Sequence, residues 1–377
     1  MNRLKLLISV AESLALRLAL QPMKLLPVKK DTVLFVSFRG KQYSCNPRYI
    51  SEELEKRDGC RIIWAFHEPE KFRFLEQHGI KVTDDSGFAF WKTALTARVV
   101  VTNTYYKPFL PRRKKQLYLR TWHGGGAYKR VDYPKGLEGF YIRLQQQGAD
   151  LYLSSSEAFT RQTLREVFGY TGPVLEKGMP RNDMLINGDR KQISEQVREE
   201  LSLGHKKIAL YAPTYRDDGR DAYSLDGDAL LKALKNRFGG EWVLLTRGHH
   251  ALDGCGVSGG NDVTAYPDMQ PLLAAADVLV TDYSSSMWDM SLTGKPVFLY
   301  CADLSRFKQE RDFFTDIRSW PFPLAEDNAA LEANILSFDE EKYAEEVKRH
   351  HAELGSFESG HAASAAADAI QAVIKGE

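Results

Sequence analysis

Short apolar runs alternate with helical patterns along most of the chain. "TVLFVSF" (32–38), "RIIWAF" (61–66), "ARVVVTN" (97–103), "QLYLRTW" (116–122) and "DLYLSSS" (150–156) are rich in β-branched and aromatic residues, as buried strands are. Between them, "NPRYISEELEKR" (46–57) and "SEAFTRQTLREVFG" (156–169) carry apolar positions at helical spacing. Strands that alternate with helices predict parallel βαβ units. A polar interval, "INGDRKQISEQVREELSLGHKK" (186–207), reads as a linker with a surface helix. The alternation then resumes with "IALYAPT" (208–214), "WVLLTRG" (242–248), "VTAYP" (263–267), "DVLVTDYSS" (277–285) and "PVFLY" (296–300). The simplest architecture is α/β, with one doubly wound parallel-sheet domain over 29–188 and another over 189–377. The alanine-rich tail "HAASAAADAIQAVIKGE" is expected to close the second domain as a helix. A length of 377 residues suits two domains of ordinary size.

Residues 1–28 stand apart. Their apolar positions recur at helical spacing but are interrupted by Lys5, Glu12 and Arg17. That predicts an amphipathic helix lying on a membrane, the alternative being one packed on the protein's own surface, since no uninterrupted apolar run approaches the roughly 20 residues a spanning helix needs. A broken apolar core without a small-residue cleavage site also argues against a signal peptide. Charge strengthens this picture. Residues 1–120 hold 23 Lys and Arg against 11 Asp and Glu, whereas the remainder holds 28 against 39. A basic half suits an anionic surface. No nucleic-acid motif is present, so the expected surface is a membrane and nucleic acid is not an expected partner. Lys107, Arg112, Arg113, Lys114 and Lys115 form the densest basic cluster. The cysteines Cys45, Cys60, Cys255 and Cys301 form no CxxC pair, which indicates neither a disulfide framework nor a zinc site.

Open parallel sheets bind ligands beyond the carboxyl ends of their strands. Those ends hold His123 with its glycines, Ser154 to Ser156, Thr214 with Arg216, Arg247 with His249, and Asp282 with Ser284 to Ser286. Imidazoles, guanidinium groups and hydroxyls at a helix start suit a phosphorylated ligand. GxGxxG and GxxxxGK[ST] are both absent, which excludes the usual dinucleotide and P-loop sites. In "DVLVTDYSSSMWDMSLTGKPV" (277–297), an apolar strand stops at Asp282, and Ser284 or Ser285 would cap a helix that ends at Gly294. The cap could hold a phosphate or serve the helix alone. In "YAPTYRDD" (211–218), Arg216 offers a fork for a phosphate or a surface ion pair with Asp217 or Asp218. Those neighbouring carboxylates do not by themselves define a metal site, and no metal ligand set is assigned.

Seven stretches in order carry a family resemblance: "SFRGKQYSCNPRYI" (37–50), "VVVTNTYY" (99–106), "LRTWHG" (119–124), "GMPRND" (178–183), "YAPTYRDD" (211–218), "RGHH" (247–250) and "LVTDYSSSMWDM" (279–290). The chain resembles the CDP-glycerol glycerophosphotransferase family, whose members prime and polymerise teichoic acids. The resemblance implies a GT-B-like fold of two Rossmann-like domains with an interdomain cleft, the first on the acceptor side and the second holding the donor nucleotide. It implies transfer of glycerol phosphate, or a related polyol phosphate, from a CDP-activated donor to a hydroxyl of a polyprenyl-lipid-linked saccharide. CMP would leave, without a further cofactor, at the cytoplasmic face of the cell membrane. It assigns the base to His123 and has Arg216, His249, Ser284 and Ser285 contact the donor's phosphates or assist its departure, which makes Arg216 and His249 catalytic with His123. Arg247 and Asp282, at the same strand ends, are expected to join them in binding the donor. Gly124, Gly125 and Gly126 would leave room for an acceptor. An acceptor hydroxyl needs such a base, and imidazole titrates in the appropriate range. The sequence after "WHG" departs from the family's more usual Thr-Pro-Leu-Lys, which leaves the acceptor and the donor's polyol open. Two alternatives share the fold. A glycosyltransferase or epimerase using a nucleotide-sugar would need a carboxylate for sugar hydroxyls, for which Asp303 is the candidate. A non-catalytic membrane adaptor would tolerate loss of His123.

Overall fold

The alternation of apolar strands and amphipathic helices becomes two all-parallel sheets. The computed structural model describes residues 3–104, 113–130, 136–214, 224–248 and 257–376. Contacts divide the chain into a first unit of Met1–His123, Asp132–Arg181 and Phe357–Glu377, and a second of Gly124–Val131 and Asn182–Ser356.

The first sheet contains β1 (Lys29–Val36), β2 (Arg61–Phe66), β3 (Lys81–Asp84), β4 (Ala97–Thr102), β5 (Leu117–Arg120), β6 (Leu151–Ser154) and β7 (Val174–Glu176), in the order β3-β2-β1-β4-β5-β6-β7. The order reverses between β1 and β4, which pair from Val33↔Val99 to Val36↔Thr102. Helices α1 (Arg3–Ala19), α2 (Cys45–Glu55), α3 (Gly87–Thr96) and α4 (Leu137–Gln147) belong to this unit. Val33, Leu34, Phe35 and Val36 are all fully buried because helices cover both faces of the sheet. Side chains of α2 share one core with Phe35, Trp64 and Val99, while those of α3 share the other with Leu34 and Val100.

The second sheet contains β8 (Lys207–Tyr211), β9 (Trp242–Thr246), β10 (Gly260–Asp262), β11 (Val278–Thr281), β12 (Val297–Tyr300) and β13 (Leu324–Ala325), in the order β10-β9-β8-β11-β12-β13. Its reversal lies between β8 and β11. Around it run α5 (Asp183–Ile186), α6 (Arg190–Glu200), α7 (Gly227–Phe238), α8 (Met269–Ala275), α9 (Ser286–Ser291), α10 (Leu304–Glu310), α11 (Asn328–Leu336) and α12 (Glu340–Glu353).

Three expectations are corrected. The strand expected at 263–267 forms instead at Gly260–Asp262. The Asp262 carboxylate takes both the N–H and the hydroxyl of Thr264, and Tyr266 N–H turns back to the Val263 carbonyl, so the chain bends where the pattern suggested extension. The segment after Ser156 winds as a π-helix over Phe159–Val167 rather than as an α-helix. Finally, the last helix, α13 (Ala362–Lys375), closes the first unit and not the second. Its Ala366, Ala367 and Ile370 are fully buried beside Ile50, Leu54 and Val99, and Arg57 pairs with Asp368 at 2.6 Å. Alanine positions permit that close packing on α2. The second domain drawn as 189–377 therefore ends near Ser356, and it takes in Gly124–Val131 as well.

Candidate active site

In the first unit the carboxyl ends of β1, β4 and β5 converge on His123. The imidazole is half-buried, with the Trp122 ring stacked at 4.4 Å and the Phe38 ring at 5.7 Å. Its Nδ1 lies 2.9 Å from the backbone oxygen of Asn103, just past β4. A carbonyl can only accept, so Nδ1 carries the hydrogen and the basic lone pair resides on Nε2. The support beneath is polar and buried. Asn103 accepts the Phe38 N–H at 2.8 Å and donates to Ser37 Oγ at 3.1 Å. Asn46, at the start of α2, donates to the carbonyls of Thr121 and Trp122 and accepts the Arg181 N–H. The Arg181 guanidinium in turn donates to the His123 carbonyl at 2.8 Å and lies 3.7 Å from Cys45 Sγ.

This support is also strained. Phe38, Arg39, Cys45 and Trp122 all have positive φ, at 44°, 59°, 61° and 56°. Such conformations cost of order 1–3 kcal/mol each in residues other than glycine and persist where surrounding contacts hold them. Phe38 and Trp122 place their rings against the imidazole, and Cys45 touches the Arg181 guanidinium that bonds the His123 carbonyl.

In the second unit the corresponding reversal is bridged by Asp282. Its buried carboxylate accepts Thr214 N–H at 2.9 Å, Thr214 Oγ1 at 2.6 Å and Tyr283 N–H at 2.5 Å. These bonds tie the end of β8 to the end of β11. Ser284 and Ser285 follow, both half-buried. Ser284 Oγ accepts from the N–H and the hydroxyl of Ser286, whereas Ser285 makes no capping side-chain bond at the start of α9. Of the two cap candidates, Ser284 performs the structural task.

Several expected roles change. Arg247 is buried, its guanidinium donates to the Asp268 carbonyl, and burial lowers its pKa below the ordinary arginine value. One guanidinium nitrogen thus braces β9 against the start of α8. Ser154 to Ser156 are fully buried; Ser154 and Ser156 organise the turn into the π-helix, and the Ser155 carbonyl receives Phe357 N–H. Asp303 accepts the Tyr283 hydroxyl at 2.9 Å. Gly124, Gly125 and Gly126 are buried in the second unit, and a Cβ added to Gly125 would stand 2.2 Å from the Trp288 ring. The room that Gly125 leaves is filled by Trp288, which corrects its reading as acceptor space. Nearby, Tyr128 bonds His350 and Ser291 bonds His351, and burial lowers both imidazoles to about 4. Arg216, His249, Lys107 and Arg112 lie outside the described residues. Arg113 donates to the Leu95 carbonyl, and Lys114 and Lys115 are exposed. Among the described residues no group of His, Cys, Asp and Glu could hold a metal ion.

Asn46, Asn103 and Arg181 are not legible as site residues in the sequence, although each lies in a stretch that carries the resemblance. The available signal was an asparagine just past a strand and another beginning a helix, both polar where the pattern demanded burial.

The family model described as CDP-Glycerol:Poly(glycerophosphate) glycerophosphotransferase matches residues 19–372. The chain belongs to this family. It is 30% identical over 374 residues to a teichoic acid poly(glycerol phosphate) polymerase of Staphylococcus epidermidis, covering 92% of this chain and 51% of that protein. A teichoic acid glycerol-phosphate transferase of Staphylococcus aureus is 28% identical, with 88% and 91% covered. The chain thus spans about half of the first protein's length and nearly all of the second's. Among solved structures, the wall teichoic acid polymerase TagF superimposes with a TM-score of 0.81 at 25% identity, over 100% of this chain and 99% of that one. A variant of it soaked with CDPG gives 0.79 at 28% identity, over 93% and 90%. The GT-B-like class expected from the sequence is the fold of this chain.

Proposed function

We propose that the chain transfers glycerol phosphate, or a related polyol phosphate, from a CDP-activated donor to a hydroxyl of a polyprenyl-lipid-linked saccharide, releasing CMP. Family membership supports the reaction class. The observation that carries the mechanism is His123 Nδ1 held 2.9 Å from the Asn103 carbonyl oxygen. With Nδ1 so committed, Nε2 accepts the proton of the acceptor hydroxyl. The hydroxyl oxygen forms a bond to the phosphorus that bears the polyol, the bond from that phosphorus to the CMP oxygen breaks, and CMP departs with its charge. Positioning and charge stabilisation dominate such transfers. Ser284 and Ser285 supply hydroxyls for the departing phosphates, with Arg216 and His249 as cationic partners, while Asp282 binds the Thr214 hydroxyl and N–H and so fixes the end of β8 beside them. The test mixes the protein with CDP-glycerol, CDP-ribitol and lipid-linked disaccharide acceptors, then measures nucleotide and product mass. Acceptor-dependent CMP and a product heavier by one or more polyol phosphates are expected. Release of a nucleoside diphosphate from a nucleotide-sugar instead would establish the glycosyltransferase alternative.

The acceptor's lipid requires work at a membrane surface. No described helix is long and apolar enough to cross a bilayer. Leu16, Leu20 and Met23 pack on the first unit, while Ile8, Leu14, Leu18 and Leu25 are exposed by 48%, 45%, 72% and 88%. Exposed apolar side chains at this end of the chain, with basic residues worth about 1 kcal/mol each near anionic lipid, support peripheral attachment to a membrane, and the reaction proposed above would put it at the cytoplasmic face. Replacing Lys107, Arg112, Arg113, Lys114 and Lys115 with glutamine is expected to reduce sedimentation with anionic liposomes. Unchanged sedimentation would remove the basic cluster from the proposal.

A further inference from the structure

A second concave site lies in the second unit, at the opposite end of its sheet from Thr214 and Asp282. It occupies about 550 Å³ against α6, the end of α8 and the turns before β8 and β12. Strand rise puts some 15 Å between the two ends of β8. Arg190, Lys191, Arg198, His205 and Lys295 line it, with Glu195 and Asp277 as its acidic members among the described residues.

The acceptors that would repel an anion here are already engaged. Lys295 Nζ donates to the carbonyls of Ala274 and Ala276 at 3.1 and 2.5 Å, capping the end of α8. Arg190 donates one guanidinium nitrogen to the Thr293 carbonyl at 2.8 Å. Asp277 receives Arg198 at 3.3 Å and Ile208 N–H at 2.8 Å. Lining the space besides these are the other nitrogens of Arg190, the Lys191 ammonium and the His205 ring, with Glu195 exposed to solvent. Burial lowers the pKa of Lys295, with attraction by Asp277 opposed by repulsion from Arg190 and Arg198.

We propose that this pocket binds a phosphate-bearing anion at a site separate from the donor site. A planar guanidinium held at one nitrogen presents its remaining donors in the geometry that phosphate oxygens accept. The volume exceeds a single phosphate, which fits a phosphomonoester or a phosphodiester segment and, on the function proposed above, the polyol phosphate itself.

The His205 imidazole provides a local readout. Its proton resonances, assigned by comparison with H205Q, are followed by NMR while inorganic phosphate, glycerol 3-phosphate, CMP or chloride is added at constant ionic strength. Saturable shifts with a phosphate compound but not with chloride are expected. R190Q should weaken the titration by about tenfold, consistent with loss of a charge-assisted contact, K191Q by less, and R190K should recover part of it. Preference among the phosphate compounds identifies the source. Equal response to chloride, no saturable shift with any phosphate compound, or titrations that R190Q leaves unchanged would overturn the proposal. Because the resonance belongs to His205, the same titration in H123A separates this site from the transfer reaction: it should be unaffected there, whether or not CMP is formed.

Discussion

Replacing His123 with alanine is expected to reduce acceptor-dependent CMP release by about 10²–10⁴-fold, the range that a positioned general base supplies. The loss should fall on kcat, with the donor's KM little changed, because the imidazole is assigned to the acceptor's proton and not to the diphosphate. Stability should barely alter. The ring is half-buried, and the strained support beneath it is held by Asn46, Asn103 and Arg181 through backbone groups that alanine retains. Unfolding midpoints and CMP release measured on the same preparation separate the two effects. A variant that folds normally and turns over at the parent rate would refute the base assignment and favour a non-catalytic adaptor.

Asp282→Ala should act in the other direction, through structure first. It removes the acceptor for Thr214 N–H, Thr214 Oγ1 and Tyr283 N–H in a position only 2% exposed. Each buried donor left unmade costs about 1–3 kcal/mol, less where water can enter. Such a loss is a large share of the 5–15 kcal/mol that typically separates folded from unfolded states. The expected result is a clear fall in the denaturant midpoint, together with loss of CMP release. Asp282→Asn is the informative companion. An amide oxygen at the Oδ1 position keeps all three bonds, while its NH₂ faces the Thr214 N–H now 3.0 Å from Oδ2. It should therefore be milder than alanine in stability. Equal midpoints for parent and alanine variant would show that Asp282 does not brace the reversal between β8 and β11.

These two residues differ in how far local pattern reveals them. His123 stands at the end of an apolar run and is followed by glycines, so both its position and its separateness from the core are written locally. Asp282 is also visible as the end of a strand, but the pattern suggests a ligand group, whereas two of the three groups it accepts belong to Thr214, 68 positions earlier. Arg247 shows the same limit: its place at a strand end is visible in the sequence, whereas its burial and its bond to the Asp268 carbonyl come from the fold. Gly125 shows the reverse case. Its lack of a side chain is legible, but what fills the space is Trp288, which only folding brings there.

Taken by itself, the order of residues determined the α/β class, most strands and the two switch regions where chemistry gathers, because periodicity and strand-end composition are short-range properties. It also determined the family, through motifs that persist in order along the chain. Tertiary structure alone decided that α13 returns to the first unit, that Gly124–Val131 belongs to the second, and which nitrogen of His123 holds the proton. Each of those depends on contacts between residues distant in sequence, whose partners are selected by shape and hydrogen bonding once the sheets exist.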